Sequence, residues 1–202
     1  MDVEAPPPPA RDRLLAAAMR IIRERGYAAT SVDDLCRAAG VTKGAFFHHF
    51  ASKEALGVAA AEHWSTTTSA LFAGAAYHDA PTARARVLAY LDFRAALLGD
   101  DIAGCTCVAG TLAQEVWDSH PVVRAACGDA IGHHAATLEA DIEAARPAGA
   151  EWTASSLALF TQTVLQGAFV VAKAMGGMAV ARDQVAHLRR YVAMVLSEGE
   201  AA

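Results

Sequence analysis

Between Ser31 and Phe50 the chain reads SVDDLCRAAGVTKGAFFHHF, a pattern that suits two short helices packed at a steep angle around a tight turn. Gly40 supplies the turn. Cys36, four positions earlier, is small enough for the helices to approach closely, and Leu35, Ala39, Val41 and Phe46 are placed to pin both helices to a third. The second helix opens Thr42-Lys43-Gly44-Ala45, with short side chains that let a partner approach its backbone. An ordinary helical hairpin needs no such combination of Gly40, a small residue before it and a Thr-Lys-Gly opening.

The rest of the chain also reads as helix, since alanine is abundant and no alternating strand pattern is bounded by turn residues. A first helix is expected from Arg11 to Arg25, with Leu14, Leu15, Ala18, Ile21 and Ile22 at helical spacing and Gly26 as its stop. Thr30 is expected to cap the second helix, with Asp33 completing a capping box. Thr42 should cap the third and Ser52 the fourth. Longer helices follow near 52–75, 81–98, 105–118, 121–145, 151–176 and 180–197, with Pro81 and Pro121 in first turns. The expected fold is all-α with about nine helices: a disordered Pro-rich tail over 1–10, a trihelical head over 11–58 and a larger body over 59–202.

Charge is unevenly distributed. The chain carries −5 overall, yet residues 11–53 hold eight Lys/Arg against four acids. A locally basic head on an acidic body suits phosphate contact at one end only. Nothing resembles a nucleophile elbow, a phosphate loop or a dinucleotide fingerprint, so no enzyme activity, catalytic residue or cofactor is expected. Cys105, Cys107, Cys127, His133 and His134 are potential metal ligands, but a C-x-C with adjacent histidines is poor helical geometry, and no metal site is expected. Four cysteines suit free thiols in a reducing compartment. The opening Met1-Asp2-Val3-Glu4 and Pro6–Pro9 run do not read as a signal peptide, and a cytoplasmic location is expected.

The stretch TSVDDLCRAAGVTKGAFFHHFASKEAL, Thr30 to Leu56, with the Gly26-Tyr27 junction before it, resembles the DNA-binding head of the TetR/AcrR family of transcriptional regulators. The resemblance is close over 11–58 and rests on length and helical architecture beyond. It implies an all-helical homodimer that binds operator DNA, with contacts from Thr30, Thr42, Lys43, Gly44, Phe47, His48 and Lys53. The family usually has Tyr at the position of Phe47, which keeps only an apolar contact. Arg37, on the preceding helix, either reaches a phosphate or base or is a solvated surface arginine. The recognition helix has no Arg, Asn or Gln, the strongest base readers, so shape and backbone readout are expected to weigh heavily.

Two-fold symmetry would match a palindromic operator. Leu157, Leu159, Phe160, Val164, Leu165, Ala168, Phe169 and Val171 make one helix apolar on more than one face. That helix and the last one, with Leu188, Tyr191, Val192, Val195 and Leu196, are the expected dimer interface. Trp64, Phe93, Trp117 and Phe169 are candidate lining for a small-molecule effector pocket. Cys105 is expected to begin a helix, where the dipole favours thiolate. GCTCVAGTLAQEV and SHPVVR around it resemble a branch of the family in which a cysteine at this place senses electrophiles or oxidants, with a lysine placed like Lys173. Cys105 is therefore a candidate sensor, the alternative being an inert packing residue.

Overall fold

The computed structural model describes residues 7–197. Among these, eleven α-helical segments and a 3-10 turn at Ala76–Asp79 account for the regular structure. They are α1 (Ala10–Arg25), α2 (Val32–Ala39), α3 (Lys43–His49), α4 (Lys53–Ala73), α5 (Ala83–Ala96), α6 (Ile102–Cys105), α7 (Val108–Val116), α8 (Pro121–Ala136), α9 (Glu139–Ala145), α10 (Ala154–Met175) and α11 (Ala179–Val195). The Pro-rich tail expected over 1–10 falls mostly outside the described residues, and its last residue, Ala10, opens α1.

Packing divides the chain into two compact units that are not contiguous in sequence. The first runs up to Trp64 and includes Val108–Gly128. The second holds Ser65–Cys107 and the chain from Asp129 onward. The boundary expected at 58/59 falls inside α4, and the segment Val108–Gly128 joins the same unit as α1–α3.

In the first unit α1 is the central helix. Leu14, Leu15, Ala18, Ile21 and Ile22 are buried at the expected spacing, and α2, α3 and α7 all pack against α1. Leu35, Ala39, Phe46, Phe50 and Leu56 complete the core, as do Leu112 and Val116 from α7. Each such Leu or Ile contributes about 2 kcal/mol on transfer from water.

In the second unit α5 packs between α9 and α11, while α10 packs against α9, α11 and α6. Arg86 of α5 forms a forked pair with Asp141 of α9, with Nε 3.0 Å from each carboxylate oxygen. Arg189 of α11 pairs with Asp92 of α5. On α10, Leu157, Thr161, Gln162, Leu165, Ala168 and Phe169 face inward. Leu159, Phe160, Val170, Val171 and Met175 face outward and are exposed. Burial all round, expected for this helix, is thus realised on one face only within this chain. By length and composition alone α10 is apolar enough to cross a membrane, but its inward face is packed in the core of this unit.

Several local expectations change. Ser31, not Thr30, caps α2: its hydroxyl accepts from Asp34 N, and Asp34, not Asp33, returns to the Ser31 amide. Thr82 caps α5, so Pro81 precedes the helix and is not in its first turn. The helix expected over 105–118 is interrupted at Thr106–Cys107, and that over 121–145 is interrupted after Ala136.

Candidate nucleic-acid interface

The turn between α2 and α3 is built as its sequence requires. Gly40 adopts φ +61° and ψ +41°, the left-handed region, and its amide reaches back to the α2 carbonyls of Cys36 and Arg37. Arg13 Nη1 donates to the Gly40 carbonyl at 3.2 Å, tying the turn to α1. Thr42 then caps α3 by accepting from Ala45 N at 3.1 Å. Phe46 is the buried anchor of α3, with Phe47 edge-on to it at 5.1 Å and Phe50 at 5.8 Å.

With Phe46 buried, the opposite side of α3 is open. Thr42, Lys43, Gly44, Phe47 and His48 are all exposed. Gly44, Phe47 and His48 stand three and four residues apart and therefore share a face. A Cβ at Gly44 would meet only the Thr42 hydroxyl, at 3.8 Å, so this side of the helix has open space. Phe47 is 50% exposed, a large apolar ring held out beside Lys43.

The cations on this surface are already paired. Lys43 Nζ lies 2.9 Å from Asp33 Oδ1, and Arg37 Nη1 lies 3.0 Å from Asp34 Oδ1. The Lys43–Asp33 pair is exposed on both sides, so its energy is small. The Ser31 hydroxyl first, then its amide and Arg37, hold the Asp34 carboxyl down at about 2.

Two expected contacts sit elsewhere. Thr30 is 2% exposed, and its hydroxyl donates to the Gly26 carbonyl at 2.6 Å, so it locks the bend before α2 and presents no group to a partner. Lys53 is half-buried with its ammonium 4.2 Å from the centre of the Tyr27 ring, and burial lowers its pKa. The Tyr27 hydroxyl is in turn pushed up to about 12 by burial and then by Glu54.

The expected effector residues are divided between the two units. Trp64 belongs to the first unit, where the Arg23 guanidinium lies 5.2 Å over its ring. Trp117, also in the first unit, is 63% exposed. Phe93 and Phe169 belong to the second unit. Phe93 meets Phe72 edge-on at 5.2 Å, and Phe169 is core. Cys105 closes α6 and does not open a helix, so the expected help from a helix N-terminus is not available to it. Its half-buried sulfur accepts the Gly99 amide at 3.1 Å instead. Lys173 is exposed in the last turn of α10.

Sequence reasoning missed a buried polar chain in the second unit. Gln162 Nε2 donates to the Tyr90 hydroxyl at 3.1 Å, and that hydroxyl lies 3.0 Å from His134 Nε2. Phe72 and Arg94 flank it, the guanidinium 5.3 Å from the Phe72 ring centre. Burial, then Arg94 and His133, lower the His134 pKa to about 4.

A family model described as "Bacterial regulatory proteins, tetR family" matches residues 14–60, the span that holds α2, the Gly40 turn and α3. Residues 14–60 are similar to the DNA-binding region of the TetR family. The repressor DhaR of Mycobacterium sp. (strain GP1) is 45% identical over 49 residues, which cover 24% of this chain and 25% of DhaR. The repressor NemR of Escherichia coli (strain K12) is 37% identical over 90 residues, covering 40% of each chain. The matched stretches thus span less than half of these relatives. Among solved structures, E. coli NemR in a reduced form superposes with a TM-score of 0.75 at 23% identity, covering 90% of this chain and 95% of that one. A regulator from Chloroflexus aurantiacus J-10-FL gives 0.74 at 25% identity, covering 91% and 93%. The fold of these regulators therefore extends over nearly the whole chain, while the family-model match is confined to the segment with the exposed α3 face.

Proposed function

We propose that this chain is a cytoplasmic, ligand- or electrophile-responsive transcriptional repressor that binds a palindromic DNA operator as a homodimer. One observation carries the DNA-binding part: α3 exposes Thr42, Lys43, Gly44, Phe47 and His48 on a helix anchored by the buried Phe46. Lys43 and Arg37 supply phosphate contacts by releasing Asp33 and Asp34. Thr42 and His48 lie nearest the base edges, and Phe47 packs against the sugar-phosphate wall. The paucity of strong base readers leaves much of the discrimination to DNA shape.

The outward apolar face of α10 and the exposed Tyr191 and Met194 of α11 favour a second copy of the chain as their cover. The Phe160 and Tyr191 rings already meet at 5.2 Å in a tilted pair, a preformed aromatic centre for such an interface. Cys105, with a half-buried sulfur, is the candidate sensor, with Lys173 on the α10 that α6 packs against. DhaR and NemR are themselves named as repressors, and NemR has been seen in a form described as reduced.

A mobility shift with the DNA upstream of the chain's own gene tests the proposal. Binding that weakens steeply with salt and is weaker in Lys43→Ala supports it; absence of any shift at low salt refutes it. Electrophile treatment followed by mass spectrometry tests the sensor: an unlabelled Cys105, with operator release unchanged in Cys105→Ser, removes it.

A further inference from the structure

The bend between α1 and α2 is held by a residue far away in sequence. Glu115, near the end of α7, takes one amide on each carboxylate oxygen: Tyr27 N at 3.0 Å and Ala28 N at 2.8 Å. Gly26 makes the room. A Cβ there would lie 2.4 Å from Glu115 Oε1, and its φ of +91° is itself a glycine conformation. Other contacts converge on the same bend. The Lys53 ammonium sits on the Tyr27 ring, the His120 ring meets Tyr27 edge-on at 5.6 Å, and a Cβ at Gly57 would lie 3.2 Å from Tyr27. The Thr30 hydroxyl ties back to the Gly26 carbonyl, and Ser31 caps α2 in the next position.

Glu115 is exposed and so is its Ala28 contact, which water can take over, while the Tyr27 contact is part-buried and depends more on the carboxylate. What the carboxylate adds is direction. A charged acceptor with two fixed donors allows one setting of the bend, whereas water allows many. The direction in which α2 leaves α1, and with it the placement of α3, follows from that setting.

We infer that Glu115 is a positioning residue for operator recognition: by gripping the Tyr27 and Ala28 amides it sets the helix-turn-helix in the orientation that reads DNA. This rests on the DNA-binding function proposed above. Glu115 touches no DNA itself and acts through the bend. The resulting dependence is specific, because an operator demands one placement of α3, while a random duplex bound through its phosphates tolerates several.

The test uses the full chain with Glu115→Ala and Glu115→Gln. Two quantities are measured: affinity for the upstream duplex and for a random duplex at one salt concentration, and amide exchange over residues 32–49 in the free protein. Glu115→Ala is expected to lose at least tenfold in affinity for the upstream duplex, to change less than twofold on the random duplex, and to exchange faster over 32–49. Glu115→Gln, with one carbonyl oxygen left to accept an amide, is expected to fall between. Equal losses on both duplexes with a lower melting temperature, or an affinity within twofold of the parent on the upstream duplex, would overturn the inference. Should the parent bind neither duplex, the DNA-binding proposal fails by itself, and the inference fails with it as a statement about recognition. Unchanged exchange in Glu115→Ala overturns it whatever the parent does with DNA.

Discussion

The Tyr90 hydroxyl lies 3.0 Å from Nε2 of His134, and the same hydroxyl receives a hydrogen bond from Gln162. The hydroxyl can donate to a bare Nε2 or accept from an Nε2–H, and the low pKa of His134 leaves the imidazole neutral in either case. The charges beside the ring agree: Arg94 and His133 both oppose its protonation.

Stability should therefore depend on pH through His134. Its folded pKa of about 4 lies below the ordinary 6.5, so between these values the unfolded chain binds a proton that the folded chain refuses. Stability rises with pH across the window: the contribution is complete above pH 6.5 and lost as pH falls towards 4, amounting to about 3 kcal/mol. Denaturation of the parent and of His134→Gln from pH 7 to 4 checks this. The variant should show a flatter dependence, and equal slopes would contradict the assignment.

Asp33 restrains Lys43, at 2.9 Å, on the surface proposed to meet phosphate. Asp33→Asn is expected to tighten operator binding about threefold or more by removing a competing anion. Lys43→Ala should weaken it and reduce the slope of log affinity against log salt by about 1. Titrations at four salt concentrations would show both, and weaker binding by Asp33→Asn would count against this placement of the DNA.

Gly40, at φ +61°, should resist any side chain. Gly40→Ala is expected to cost about 1–2 kcal/mol in urea unfolding, because its Cβ has space (only Arg13 Nη1 lies near, at 3.6 Å) but its backbone does not suit an L-residue. A loss below about 0.5 kcal/mol would mean that the turn relaxes to another conformation.

Phe160 and Tyr191, 39% and 43% exposed, make the proposed dimer centre directly testable. Phe160→Glu should raise the dimer dissociation constant at least about thirtyfold, the loss typical of a central aromatic, with helix content unchanged. Light scattering that still reports a dimer at low micromolar concentration would place the interface elsewhere.

The thiols should label in a fixed order. Cys105 and Cys107 are half-buried, Cys36 and Cys127 fully buried. Burial first, then Asp33, also raises the Cys36 pKa. Iodoacetamide at pH 8 should reach the first two before the others, and early modification of Cys36 would show that α2 opens readily.

By itself the sequence determined the helices and the motif. The spacing of Leu14, Leu15, Ala18, Ile21 and Ile22, the Gly40 stop and the Thr42 cap are local facts, because helix periodicity and turn chemistry act over three or four residues. Even there the cap at Ser31 rather than Thr30 lay beyond it, since two adjacent hydroxyl residues compete and the inward tie from Thr30 to Gly26 decides between them. Tertiary structure alone decided that Asp33 holds Lys43, that Trp117 is exposed, that Cys105 ends a helix, and that Gln162, Tyr90 and His134 form a chain. It also brought Glu115 to the amides of Tyr27 and Ala28, which lie 88 and 87 positions away. No local pattern encodes such meetings. A carboxylate signals its charge in sequence, but which amides it will grip depends on where packing carries the two helices.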